Sequence, residues 1–188
     1  MAMILLPIAQ GFEEVEAVSL IDVLRRGGLG VRVASVDPHK DNNLVLGANG
    51  ITIQADTNIK NVIADDFDMI LLPGGWENTY TLAENETVQS LLKEFKEKEK
   101  IVGAICAAPY ALNKAGVLGD DYTCYPSVED EINKEGYRDD QAVVVDGNIM
   151  TSRGPGTALC FGLEIVKKFS GEESYKAVKE GMLLDFCS

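Results

Sequence analysis

Short apolar runs alternate with amphipathic stretches along this chain. Ile4-Leu5-Leu6 gives way to Gly11-Phe12, after which Val15, Val18, Ile21, Val23 and Leu24 recur at three- and four-residue spacings until Gly27-Gly28. That order predicts strand, loop, helix and stop. Residues 31–36 predict a second strand, closed by Asp37-Pro38. The Asn-, Gly- and Asp-rich segment from His39 to Asp56 carries two apolar patches, 44–46 and 51–53, which predict a small excursion hairpin. Residues 67–72 are nearly continuous in apolar side chains and stop at Pro73-Gly74-Gly75, the habit of a parallel strand buried on both faces. A polar loop then leads to a helix with Val88, Leu91, Leu92 and Phe95 on one face and a solvated Lys/Glu face. Residues 101–105 predict a strand ending at Cys106, and 109–115 a helix stopped by Gly116. Strands at 143–145 and 149–151 flank the hairpin signal Asp146-Gly147-Asn148, and helices follow at 158–169 and 173–183.

Strands alternating with helices across short connections predict an α/β fold over one unit, residues 1–188: a mostly parallel sheet with helices on both faces. In such sheets chemistry sits beyond the carboxyl ends of the strands. Three places meet that rule: Pro73-Gly74-Gly75, Cys106, and the run from Ser152 to Thr157.

Charge narrows the partners. The chain has 17 basic and 30 acidic side chains, a net charge of −13, which repels nucleic acid and anionic lipid. No run approaches the roughly 20 apolar residues of a membrane span, and the start lacks the basic region of a signal peptide. These features predict a cytoplasmic protein with reduced thiols. The four cysteines are widely spaced with no C-x-x-C, so no metal site is expected, and the chain holds one histidine, His39.

Cys106 lies where a buried strand turns into a helix, with Ala107 and Ala108 beside it and Pro109 in the first turn. Small neighbours permit a sharp elbow, and a thiol facing a helix N-terminus is expected to favour its thiolate. The other reading is a buried small hydrophobe. Cys124 in a short strand, Cys160 on an apolar helix face and Cys187 at the chain end read as structural. Gly74-Gly75 either ends a strand or forms an anion nest near the nucleophile. Gly154-x-Gly156 lacks the third glycine of a dinucleotide fingerprint. A helix starting at Pro155 can bind an anion with Arg153 adding charge, or Arg153 can serve a surface ion pair. A Cys-His hydrolase needs an imidazole, and His39 falls in a polar loop, which weakens peptidase and amidotransferase readings. Carboxylates are left for proton transfer: Glu13, Glu14 and Glu16 open the first helix, on the rim of Cys106, where they either complement the helix dipole or, if partly buried, carry a raised pKa and exchange a proton with the thiolate.

Four motifs together resemble the ThiJ/PfpI superfamily, on the branch around DJ-one and its bacterial relatives. They are the run from Gly11 to Val18, Leu71-Leu72-Pro73-Gly74-Gly75, Ala104-Ile105-Cys106-Ala107-Ala108-Pro109, and the run from Thr151 to Thr157. The resemblance implies a flavodoxin-like three-layer sandwich, a homodimer, and an elbow cysteine, Cys106, that oxidises readily to the sulfinic acid. It also implies that Glu16 contacts Cys106 and that Gly75 and Ala107 supply N–H groups to a substrate or sulfur-bound oxygen. Activities implied are cofactor-free conversion of small dicarbonyls, deglycation, and chaperone or oxidative-stress protection. Two departures stand out. Tyr125-Pro126 occupies the place where glyoxalase-competent members carry histidine before proline, and the 44–53 excursion lacks the arginine of relatives. A phenol with a pKa near 10 is a poor base at neutral pH but a competent hydrogen-bond donor, which leaves the proton relay to Glu16.

Overall fold

A computed structural model describes residues 1–36 and 42–187, so His39 lies outside the described residues. The elements are β1 (Met3–Ile8), α1 (Glu14–Arg26), β2 (Gly30–Ser35), β3 (Leu44–Leu46), β4 (Thr52–Gln54), β5 (Thr57–Asn58), β6 (Met69–Leu72), α2 (Trp76–Glu84), α3 (Glu86–Glu97), β7 (Ile101–Ile105), α4 (Pro109–Lys114), α5 (Val128–Ile132), β8 (Val143–Asp146), β9 (Ile149–Ser152) and α6 (Ala158–Gly181). Seven strands form one sheet in the order β5-β2-β1-β6-β7-β9-β8, and β3 and β4 form the separate excursion hairpin. Every pairing in the large sheet is parallel except β8 with β9.

Central strands β6 and β7 are buried throughout because apolar layers cover both faces. One core joins the sheet to Leu20, Val23 and Leu24 of α1 and Phe161, Ile165 and Val166 of α6. The other joins it to Leu82, Leu92, Phe95 and Leu112 of α2 to α4. Cys106, past the end of β7, packs against both. The predicted α/β architecture is therefore the observed one: the flavodoxin-like sandwich.

Several local expectations change. The polar loop after Gly75 is helix α2, whose hidden face mixes Asn78 and Thr79 with Leu82 and Ala83. Buried polar groups there dilute the apolar periodicity that would announce a helix. Cys124 lies in no strand; only an isolated bridge joins Tyr122 to Tyr137 nearby. The predicted helices 158–169 and 173–183 run together, but Gly171 at φ 83° breaks the helix between them, a conformation glycine adopts without a Cβ penalty.

In α1, Val15 and Val18 are 54% and 48% exposed, while Glu14 and Glu16 are buried. Glu14 replaces an apolar contact with hydrogen bonds, accepting from Asn49 N at 2.6 Å, Asn49 Nδ2 at 3.0 Å and Ile51 N at 3.3 Å. It thereby ties the β3–β4 turn to the helix. Val18 and Ile21 share a groove with Ile53 of β4, and Leu44, Leu46 and Ile51 are exposed on the same hairpin.

The expectation of reduced thiols is corrected for one pair, because Cys160 and Cys187 are joined by a disulfide with Cα atoms 5.2 Å apart. A straight helix from Cys160 would carry the chain away at about 1.5 Å per residue. The break at Gly171 and the turn after Gly181 bring the chain end back, which the spacing of the two cysteines does not announce. Among the described residues no helix is long and apolar enough to cross a membrane.

Candidate active site at Cys106

Strand β7 delivers Cys106 to the rim with φ at 65°, a left-handed conformation uncommon outside glycine. Its neighbours hold it there. Cys106 N donates to Ser152 O at the end of β9 (3.0 Å), and Cys106 O accepts from Tyr125 N (2.9 Å). Ala107 and Ala108 fill the buried side of the elbow without crowding it, and Pro109 opens α4.

Glu16 approaches from the first turn of α1. The side chain of Glu13 caps that turn by accepting from Glu16 N at 2.7 Å, and the fully buried Glu16 carboxylate accepts from Gly74 N at 2.7 Å through Oε2. Its Oε1 is buried without a hydrogen-bond partner in the resting arrangement. A Cβ placed on Gly74 would lie 2.7 Å from both Cys106 Cβ and Glu16 Oε2, so three strand and helix ends close on one point. Gly75, at φ 89°, would drive a Cβ to 2.1 Å from Gly11 O. The two glycines thus do more than end a strand: they let backbone pass between α1 and the elbow, and Gly75 and Ala107 direct N–H groups at the Cys106 sulfur.

Sequence reasoning missed Asn78. It is fully buried, its Oδ1 accepts from Ala9 N at 2.7 Å, and its Nδ2 donates to Pro73 O at 2.8 Å and Gly74 O at 3.0 Å. Glu13 N also donates to Gly74 O, at 3.1 Å. Asn78 therefore stitches the ends of β1 and β6 together under the glycines. The only signal in the sequence was a polar residue three positions past Gly75.

Burial raises the Glu16 pKa to about 7, helped by the charge of Glu13 and opposed by hydrogen bonds from Cys106 and Gly74. Burial also pushes the Cys106 thiol up, followed by the charge and hydrogen bond of Glu16, against the pull of the Ala107 and Gly75 N–H groups. The expected helix-induced thiolate is corrected here. With Glu16 charged, desolvation and a neighbouring anion outweigh two N–H donors. The arrangement instead pairs a buried thiol with a carboxyl that titrates near neutrality.

The remaining site residues lie in the two segments hydrogen-bonded to the Cys106 backbone, at Tyr125 and just past Ser152. Tyr125 is exposed, and its ring passes 3.3 Å from where a Gly154 Cβ would stand. Arg153 is half-buried rather than in a surface ion pair: it hydrogen-bonds Tyr137, lies near Cys124, and its Nε is without a partner. Pro155 opens a turn of 3-10 helix, closed by Thr157 Oγ1, which accepts from Arg153 N (3.2 Å) and Gly154 N (3.1 Å). That loop reaches Cys106 through the Ser152 carbonyl. Among the described residues no cluster of His, Cys, Asp and Glu is arranged to hold a metal ion.

Known proteins share this frame. The chain is 39% identical over 181 residues to protein dj-1beta of Drosophila melanogaster, covering 95% of each. It is 37% identical over 186 residues to the glutathione-independent glyoxalase DJR-1.2 of Caenorhabditis elegans, covering 97% of this chain and 96% of the relative. The crystal structure of Drosophila melanogaster DJ-1beta superposes with a TM-score of 0.92 at 38% identity over 97% of each chain. Residues 2–168 match the family model described as the DJ-1/PfpI family, and the chain belongs to that family.

Proposed function

We propose that this protein is a cofactor-free, cysteine-dependent enzyme of the glyoxalase or deglycase type, acting on small dicarbonyls or the adducts they leave on other molecules. The observation that carries the reading is the convergence of Cys106, the unpartnered Glu16 Oε1 and the N–H groups of Gly75 and Ala107 on one rim. Relatives named glutathione-independent glyoxalases, from Caenorhabditis elegans and Schizosaccharomyces pombe, support the substrate class.

Cys106 sulfur adds to the aldehyde carbon, its proton passing to Glu16, and the new hemithioacetal oxygen is held by the Gly75 and Ala107 N–H groups. Glu16 returns that proton to the hemithioacetal oxygen, then carries the C–H proton from the former aldehyde carbon to the former ketone carbon while the hydroxyl proton passes to the former ketone oxygen, giving a thioester of the 2-hydroxy acid. Water cleaves it and restores the thiol, so dicarbonyl and water become hydroxy acid with no outside oxidant. A carboxylate with a pKa near 7 suits a proton it must both take and return. Tyr125 supplies a hydrogen bond at the rim rather than a base, and Arg153 and Pro155 shape the wall it stands on. The exposed Val15, Val18, Leu44, Leu46 and Ile51 form the apolar face on which a second copy docks, making a homodimer. The measurement is lactate formation from methylglyoxal: wild type exceeds buffer, and Cys106→Ala and Glu16→Gln do not. A wild type no faster than buffer would sink the reading.

A second reading, a redox-responsive protective protein without turnover, draws on the same contact. A protonated Glu16 would donate a hydrogen bond to a Cys106 sulfinate. A two-oxygen adduct confined to Cys106 after mild peroxide, with no lactate formed, favours it.

A further inference from the structure

An aromatic cluster follows the two N–H donors in the chain, and the chemistry above does not use it. Trp76, the only tryptophan in the chain, is 43% exposed directly after Gly75, and Tyr80 one turn on is 45% exposed. Their rings stack with centroids 5.7 Å apart and planes 24° from parallel, and Tyr110 meets Tyr80 edge-on at 5.7 Å. The row begins beside one N–H donor of the site and ends beside the other, since Tyr110 N bonds the carbonyl of Ala107 at 3.0 Å. Trp76 and Tyr80 are exposed and Tyr110 is half-buried, and large apolar side chains left exposed together mark a contact surface. Here the group joins α2 to α4, the two helices that directly follow the Gly75 and Ala107 donors.

We infer that Trp76, Tyr80 and Tyr110 form a subsite for a flat aromatic substituent on the carbonyl substrate, so that aryl-substituted dicarbonyls are preferred over methylglyoxal. The inference rests on the proposed dicarbonyl chemistry and deepens it. Aromatic faces select flat, uncharged groups by offset stacking and gain little from a methyl group. The excursion also lacks arginine, and the whole chain carries a net charge of −13, which disfavours a phosphate-bearing substituent. Trp76 is the central determinant, because it offers the largest ring and lies nearest the donor at Gly75. Tyr80 stacks against it.

Two measurements test this. In the first, phenylglyoxal and methylglyoxal are compared as substrates, with mandelate and lactate as the products and Cys106→Ser as the blank. Trp76→Ala should lower kcat/KM for phenylglyoxal about five- to tenfold more than for methylglyoxal, the scale of one aromatic stack, and Trp76→Phe should restore most of that ratio. In the second, the fluorescence of the lone tryptophan is followed in Cys106→Ser protein. Mandelate should quench it saturably and lactate should not. A Trp76→Ala ratio unchanged within twofold, or quenching by both acids alike, overturns the subsite while leaving methylglyoxal turnover intact. If wild type converts neither dicarbonyl, the proposed reaction fails, and the quenching experiment alone decides whether an aromatic group binds.

Discussion

Cys106 and Cys124 each lie beside a carboxylate, Glu16 for the first and Glu129 for the second, and burial is the largest cause raising both thiols. Cys124 is fully buried, its sulfur 4.0 Å from Glu129 Oε2, and its pKa is pushed up to about 12. Cys106 is only half-buried, stands on a left-handed backbone, and faces two N–H donors and a glutamate titrating near neutrality. Proximity to a carboxylate raises a thiol in either place. What separates the two is exposure, a left-handed backbone, two N–H donors and a carboxyl that titrates near neutrality, the features on which the proposed reaction depends.

The comparison breaks most directly at the sulfurs. Cys106→Ser should reduce lactate formation to the buffer rate, a loss of about a thousandfold or more for removing a nucleophile. Cys124→Ser should stay within about twofold of wild type, where ordinary additivity of distant sites places it. Equal losses in the two variants would erase the distinction. Next in size, Gly74→Ala forces Cys106 Cβ and Glu16 Oε2 apart, because both lie 2.7 Å from the added methyl group. A misplacement of about 1 Å costs on the order of a hundredfold in rate, and an alanine variant with normal turnover would mean that the convergence is unimportant.

A pH experiment sharpens the contrast further. Glu16 has its folded pKa raised from 4.5 to about 7, so the native state prefers the neutral acid. That contribution is complete below pH 4.5 and is lost as pH rises through about 7. At about 1.4 kcal/mol per unit, wild type should lose about 3 kcal/mol more than Glu16→Gln between pH 4.5 and pH 8. Urea unfolding at those two values measures it, and parallel pH profiles for the two proteins would contradict the raised carboxyl. The smallest effect belongs to Cys124→Ala, which removes one buried sulfur from a packed core. It should cost about 1 kcal/mol with no change in the lactate assay.

Much of the frame was legible because buried parallel strands are short apolar runs punctuated by glycine and proline, and β6 and β7 have that form. The elbow was legible for a related reason: a strand ending in cysteine, two alanines and proline has few other uses. Less visible were the places where polar side chains replace apolar ones inside. Asn78 and Thr79 hide the periodicity of α2, and Glu14 and Glu16 take the buried face that Val15 and Val18 were expected to fill. Each polar group is admitted by specific partners, such as Asn49 for Glu14 and Gly74 for Glu16, that are brought near only by tertiary folding. Arg153 illustrates the same limit, since its turn toward Tyr137 depends on a loop distant in the chain. Burial of the Cys106 thiol belongs with these, because a helix start is visible in a sequence and desolvation is not.

The Cys160–Cys187 bond bears on how the molecule is handled. Of four cysteines, Cys106 and Cys124 are free and the other two are paired. A thiol reductant added to keep Cys106 ready for attack also acts on the pair at the chain end, and an oxidant added to restore that pair also reaches Cys106. Preparations made with and without reductant are therefore different covalent species, distinguishable by alkylation under native conditions. Activity and stability measured on one need not describe the other.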